Sequence, residues 1–427
     1  MWFYIYKAYL RLVHETLMVR NRYTIGLERL PREGEKYFIV CNHQNTANDP
    51  LNIMFALPLR IHTSALARAD IFELHPLFTR FLHWIGLLPA FRLGWEGGEG
   101  IEQNFRSFDL VADRVLQGSP TMVFPEAGHT QGHYVGTFTT GVVRMAFRAA
   151  ERSGWQEDIK IVPSAHHYSD FFDVRADILW QVGTPISLRP YYADYQQHPN
   201  SVLRTVKREM FRQVHDMMLD EGEQDYREKD FLRRSTLNIM RPPKPSPLPE
   251  QLEQDKAFAR MLNSHPRYAD IIGLTRQLID AEQHVGADDD TIARRPTLMR
   301  LVPQVLAAII LLPLWVVSLW PHALCYGLPP LLLKTDIMFT NTYRYVVSVL
   351  FLYPLFAVLT ILTAGIGFGM WWQSVLWLLL MLPLGQFCWW YYQRLLRLLH
   401  SFAYLLHRSE LPAIHTLRSN IATLLAE

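Results

Sequence analysis

The chain has 427 residues, room for two or three structural units at about 100–200 residues each. It is 49% hydrophobic and only 19% charged, below the roughly 25% of an average soluble domain, so part of it needs an apolar location. A net charge of +2 offers nothing to nucleic acid, and three scattered cysteines (Cys41, Cys325, Cys388) exclude a disulfide framework and suit a reducing compartment.

Residues 1–22, within an N-terminal segment 1–25, predict an amphipathic helix. Trp2, Phe3, Tyr6, Tyr9, Leu10, Val13 and Leu17 recur at helical spacing, with Lys7, Arg11, Arg20 and Arg22 as cations. Such a helix suits a membrane interface, and a helix packed on the protein fits the same periodicity. The segment lacks the basic start, clean apolar core and small-residue cleavage site expected of a signal peptide.

A domain is expected over 26–220. Its strand-like runs are KYFIVCN (36–42), IGLLPAF (85–91), TMVFPEA (121–127) and IKIVPSAHHY (159–168), with helical periodicity over 100–118 and 138–154. Strands alternating with helices predict an α/β domain, a mostly parallel sheet flanked by helices. In such sheets ligands bind at the carboxyl ends of strands, where the polar loops after 41, 90 and 124 fall.

Residues 221–300 read as a charged, proline-rich linker and a small helical segment. RPPKPSPLPE (241–250) is a stiff spacer, and 251–300 carries no legible motif before Arg294, Arg295 and Arg300. A membrane region follows over 301–393. Residues 345–393 contain no Asp, Glu, Lys or Arg and are divided by GIGFG (365–369), the pattern of a transmembrane hairpin. Residues 301–333 are also uncharged but interrupted by WPH (320–322) and LPP (328–330), so they form one span or a short re-entrant hairpin. Placing Arg294, Arg295, Arg300, Lys334, Arg344, Arg394 and Arg397 on one side favours the re-entrant form and an even number of crossings. Residues 394–427 read as a basic C-terminal tail.

The chemistry concentrates in three loops. In CNHQNTANDPL (41–51), His43 follows a strand and Asp49 lies six positions on. A neutral imidazole can take a hydroxyl proton while a carboxylate holds its tautomer; the same residue types also make a turn in which Asn42, Asn45 and Asp49 cap backbone groups. In FPEAGHT (124–130), Glu126 can orient a substrate or brace the base, and Gly128 allows close backbone approach. Arg92, after LLPAF, offers a planar fork suited to phosphate, or a surface ion pair.

Taken in order, NHQNTAND (42–49), FRLGWEGG (91–98), FPEAG (124–128) and IVPSA (161–165) resemble the four motifs of the glycerol-3-phosphate / 1-acylglycerol-3-phosphate acyltransferase superfamily. Those motifs are an N-H-x-x-x-x-D loop, an arginine-bearing segment, an F-P-E-G turn and an apolar V-P strand. The resemblance spans about residues 26–190. It implies His43 as general base, Asp49 as its partner, and Arg92, Glu126, Gly128 and Asn45 as acceptor-site residues. It also implies direct attack of a hydroxyl on an acyl-CoA or acyl-carrier-protein thioester, with no further cofactor, no metal and no acyl-enzyme. The absence of a G-x-S-x-G elbow agrees. Membrane lipid would be the other partner, and the protein would be multi-pass in the cell membrane (the inner membrane in a Gram-negative cell), its catalytic domain on the cytoplasmic face. Two departures stand out. Five residues rather than four separate His43 from Asp49, which puts Asn48 at the usual acid position, and His129 replaces a basic residue often linked to phosphate.

Two rival readings remain. His129, His133, His166 and His167, with His43 and Asp49, would make a membrane-anchored metal-dependent hydrolase, although no H-E-x-x-H accompanies them. A non-catalytic, lipid-binding relative that keeps the fold is the other.

Overall fold

The computed structural model describes residues 2–427 except 74, 91–98, 127–131, 243–244, 333–338 and 366–370. Arg92, Gly128, His129 and Lys334 therefore lie outside the described residues, as does most of the GIGFG run. The chain forms two units: Met1–Leu12, Asn21–Phe171 and Asp177–Met218 in the first; Val13–Arg20, Phe172–Ala176 and Leu219–Glu427 in the second.

The first unit is built on an eight-stranded sheet: β1 (Val19–Ile25), β2 (Lys36–Cys41), β3 (Ser64–Arg68), β4 (Leu87–Ala90), β5 (Thr121–Val123), β6 (Ile159–Tyr168), β7 (Ala176–Val182) and β8 (Ile186–Ser187). The order is β1-β7-β6-β2-β5-β3-β4, with β8 also on β6. Strands β6, β2, β5, β3 and β4 run parallel, while β7 and β8 are antiparallel to β6. Central β2 shows why: its apolar run has no solvent face, as a strand covered on both sides requires. Phe38 and Val40 enter the core formed with Val111, Val143, Phe147 and Val206, whereas Tyr37, Ile39 and Cys41 point to the opposite core with Ile53, Met122 and Trp180. Around the sheet lie α1 (Trp2–Val13), α2 (Asn48–Ala56), α3 (Pro76–Trp84), α4 (Glu99–Leu116), α5 (Gly141–Arg152), α6 (Tyr192–Gln197) and α7 (Pro199–Met217). The helix expected over 1–22 stops at Met18, and Val19–Ile25 form strand β1 instead. Lys7 is buried and donates to the carbonyls of Pro58 and Ile61, while Trp2 and Ile5 stay exposed.

The second unit is helical: α8 (Tyr226–Arg234), α9 (Leu248–Asn263), α10 (Tyr268–Val285), α11 (Asp289–Arg294), α12 (Leu298–Leu332), α13 (Thr340–Val347), α14 (Tyr353–Gly365), α15 (Trp371–Leu406) and α16 (Leu411–Leu425). Three stretches, Leu298–Trp320, Thr340–Leu359 and Val375–Leu406, are long and apolar enough to cross a membrane. Ile310, Trp320 and Leu379 are 75%, 72% and 69% exposed, an apolar surface that water would not favour and lipid would.

Two expectations change here. The segment 301–333 is one continuous helix rather than a re-entrant hairpin: a proline inside an apolar helix removes one backbone bond without reversing the chain. Secondly, the linker and the tail are not separate. Leu232, Phe258, Ile271, Leu278 and Ile292 share one core with Leu411, Ile414 and Ile421, and Arg418 of α16 meets both Glu282 and Asp289. Burial of that shared apolar surface needed the tertiary arrangement; each segment alone shows only an ordinary helical stripe.

Candidate active site

The carboxyl end of β2 turns directly into the site. After Cys41 the chain makes a tight loop and enters α2 with Asp49 in its first turn, where a carboxylate suits the helix dipole. Thr46 sits at φ 42, a left-handed conformation unfavourable for a β-branched residue and one that persists only when the surroundings enforce it. Asp49 is the enforcing group. Its Oδ2 accepts from the backbone N–H of Gln44 and Asn45, both at 2.9 Å, and lies 2.8 Å from His43 Nδ1. The extra residue in the H-x5-D interval is therefore taken up by the loop closing around the carboxylate. Asn48, at the usual acid position, instead donates to Asn45 Oδ1 at 3.0 Å.

The His43 side chain keeps 23% exposure, whereas that of Asp49 has none. The imidazole stacks on Phe124, with ring centroids 4.4 Å apart and 24° between planes. Burial pushes the Asp49 carboxyl up, but the hydrogen bonds from His43 and from the Tyr168 hydroxyl outweigh it and leave it below the usual range. Asp49 is thus an anion whose position fixes the imidazole.

Glu126 stands at the end of β5 beside this loop. Its Oε1 accepts from the His43 N–H at 3.0 Å and its Oε2 from the Gly136 N–H at 3.1 Å, so it pins the base-bearing loop to the segment before α5. A Cβ at position 136 would lie 2.7 Å from Glu126 Oε2, which is why glycine stands there. Burial raises the Glu126 carboxyl to about 7, against the two N–H donors and the His43 charge that pull it down. In this geometry Glu126 braces the His43 loop. Asn45 is likewise turned inward: it is 2% exposed, and its amide donates to the Phe171 carbonyl and accepts from Asn48. These contacts pack the loop, as buried amide groups must find partners.

His166, the third residue of the strand-end run SAHHY, faces inward. Its Nδ1 lies 3.1 Å from Cys41 Sγ, and burial lowers its pKa to about 4, so it stays neutral. His43 and His166 are thereby directed to different partners, while the rings of His133 and His167 lie 5.2 Å apart. Asn42 ties β2 to β6, accepting from the His166 N–H at 2.7 Å and donating to its carbonyl at 3.1 Å. The residues not foreseen are Phe124, Asn52, Tyr168 and Arg22. Asn52 was findable, being three residues after Asp49 and so on the same face of a helix; Tyr168, 119 positions away, carried no local signal.

Residues 22–167 match the family described as Acyltransferase. No curated protein matches the chain. Among solved structures, the 1-acyl-sn-glycerophosphate (LPA) acyltransferase PlsC from Thermotoga maritima is similar at 13% identity and a TM-score of 0.32, covering 45% of this chain and 71% of its own. The site loop, its buried carboxylate and the FPEAG turn all fall inside the matched segment. The chain thus carries, over residues 22–167, a domain of the acyltransferase family.

Proposed function

We propose that the protein transfers a fatty acyl group from an acyl-CoA or acyl-carrier-protein thioester to a hydroxyl of glycerol 3-phosphate or a lysophospholipid, in phospholipid biosynthesis. The observation that carries the reading is His43 Nδ1 at 2.8 Å from a fully buried carboxylate, at the end of a parallel strand, with the ring still reachable. The acceptor oxygen attacks the thioester carbonyl as its proton passes to His43 Nε2, and Asp49 stabilises the imidazolium. Collapse of the tetrahedral intermediate breaks the C–S bond, and the leaving sulfur takes the proton back, restoring neutral His43. Glu126 keeps the base-bearing loop in place. Arg92 and Gly128 are assigned to the acceptor side by motif resemblance.

The catalytic domain, 26–220, would work on the cytoplasmic face of the cell membrane, anchored by helices within 301–393. Packing in the second unit supports an even number of crossings. Leu301 clusters with Leu398, Tyr391 donates to the Ala308 carbonyl at 2.6 Å, and Trp315 donates to the Cys388 carbonyl at 3.1 Å, so α12 and α15 run antiparallel. Their outer neighbours α11 and α16 share one core and must lie on one side. Two crossings by α12 and α15, with α13 and α14 not completing a third, satisfy both facts. Cysteines introduced at Thr297 and Ser409 should then react from the same face of sealed vesicles; opposite labelling refutes the two-crossing topology.

The enzymatic reading is tested by incubating membranes containing the protein with labelled palmitoyl-CoA and a panel of acceptors: glycerol 3-phosphate, dihydroxyacetone phosphate, lysophosphatidate and other lysolipids. One labelled product is expected, and it should disappear with His43→Ala. Near-normal turnover in that variant ends the assignment.

A further inference from the structure

The second oxygen of Asp49 leads away from the substrate side into a chain of buried donors. Tyr168, the last residue of β6 and just beyond the family-matched segment, donates its hydroxyl to Asp49 Oδ1. The same hydroxyl accepts from Asn52 Nδ2 at 2.8 Å. Asn52 in turn receives Arg22 Nη1, at 3.3 Å on its side-chain oxygen and 3.2 Å on its carbonyl. Tyr168 and Asn52 are almost wholly shielded from solvent.

Donor and acceptor chemistry sets the direction of this chain. Arginine has no acceptor, so Arg22 can only donate, and it fixes the Asn52 amide with its oxygen toward β1. The amide nitrogen must then face Tyr168 and fill the acceptor side of the phenol. The phenolic proton is left to Asp49. One amide orientation, set by a permanent cation on β1, thus decides where a proton lies one residue from the candidate base.

We propose that Arg22, Asn52 and Tyr168 form a directional positioning relay that anchors Asp49 Oδ1 and limits the charge its Oδ2 presents to His43. Tyr168 is a positioning residue, and the inference rests on His43 being the base. The relay answers the departure noted in the motif: with the acid displaced by one position, Asp49 gains an anchor from β6 that the local loop cannot supply. The titratable groups around Asp49 are His43 from its own loop, Cys41 at the end of β2, Glu126 after β5, and His166 and Tyr168 from β6. Of these, Tyr168 alone donates a neutral hydrogen bond to Oδ1. Removing it concentrates the carboxylate charge on the Oδ2 side and strengthens the pull on the imidazole proton.

The test uses the full chain in detergent and diethyl pyrocarbonate, which modifies neutral imidazole only. Modification of the His43 peptide, followed by mass spectrometry against pH, gives a titration midpoint without any need for turnover. Tyr168→Phe should raise that midpoint by about half a pH unit or more, as loss of a donor to the partner carboxylate requires. It should also lower kcat for palmitoyl transfer by about tenfold, with the KM for palmitoyl-CoA little changed. Arg22→Met, which frees the Asn52 amide to flip, should shift the midpoint in the same direction by less, and it serves if Tyr168→Phe does not fold. An unchanged or lowered midpoint in the folded variants overturns the relay. Acyl transfer surviving in His43→Ala would instead overturn the catalytic reading, so the two failures are distinguishable.

Discussion

Two buried carboxylates, one in each unit, have opposite fates. Asp49 is enclosed by donors alone: two backbone N–H groups, an imidazole and a phenol. Its charge is held below the usual carboxylate range despite complete burial. Glu221, beside α8, is equally shielded and is paired with Arg233 at 3.1 Å, yet burial lifts it to about 7. Arg233 is shared with Asp230 and Asp255, and Glu221 Oε2 has no hydrogen-bond partner among the described residues. A guanidinium shared with two further acids leaves Glu221 under-compensated, whereas four donors on Asp49 alone do not. A buried anion is therefore stabilised by how many donors it owns, not by whether a cation is near. The first arrangement suits a group that must stay charged beside a reacting centre; the second suits a cross-link.

The comparison breaks most sharply at the base. His43→Ala should cost about 10²–10⁴-fold in acyl transfer, the range for general base catalysis, and about 1–2 kcal/mol in stability for the one donor that Asp49 loses. In the second unit the balance reverses. Arg233→Ala strands buried acids and should destabilise the helical unit by about 3–5 kcal/mol, seen as early loss of helical circular dichroism in detergent. Retained stability there would mean that solvent reaches the cluster.

The pH dependence sharpens the contrast. Glu221 is raised from the ordinary glutamate value of about 4.3 to about 7, so between those values the folded state binds the extra proton and stability falls as pH rises. Glu221→Gln removes that term. Its stability relative to the unsubstituted protein should improve by about 2 kcal/mol between pH 5 and 8, read from paired melting curves. Asp49 has the opposite sign: its contribution is present above about pH 4 and is lost as pH falls through its depressed native value. The smallest effect is expected at Glu126. Glu126→Gln keeps one acceptor for the two N–H groups of His43 and Gly136, so activity should fall by about tenfold. A loss as large as that of His43→Ala would mean that Glu126 contacts the substrate instead of bracing the loop.

Much of this was readable in order along the chain. Alternation of buried strands with amphipathic helices announces a parallel sheet because only apolar residues tolerate burial on both faces, as β2 illustrates. The motif loops fall at strand ends for the same reason. The apolar stretches of the second half need only length and lack of charge to be recognised as candidate spans. The course of 301–333 was not legible, since proline and glycine bias a turn without compelling one. Nor was the union of 221–300 with 394–427, whose apolar stripes state a need for cover but not its source.

Local chemistry, then, determined which residues sit at the head of β2 and that His43 has an acid within reach. Tertiary structure decided how that acid meets the imidazole and what each remaining polar group does. Asp49 rather than Asn48 meets the imidazole because the loop closes on two of its own N–H groups. Asn45 and Glu126 face inward as braces, and Tyr168 reaches Asp49 only because β6 lies beside β2. Sequence spacing specifies neighbours along a helix or strand; a hydrogen bond between residues 119 positions apart exists only once the sheet has chosen its order.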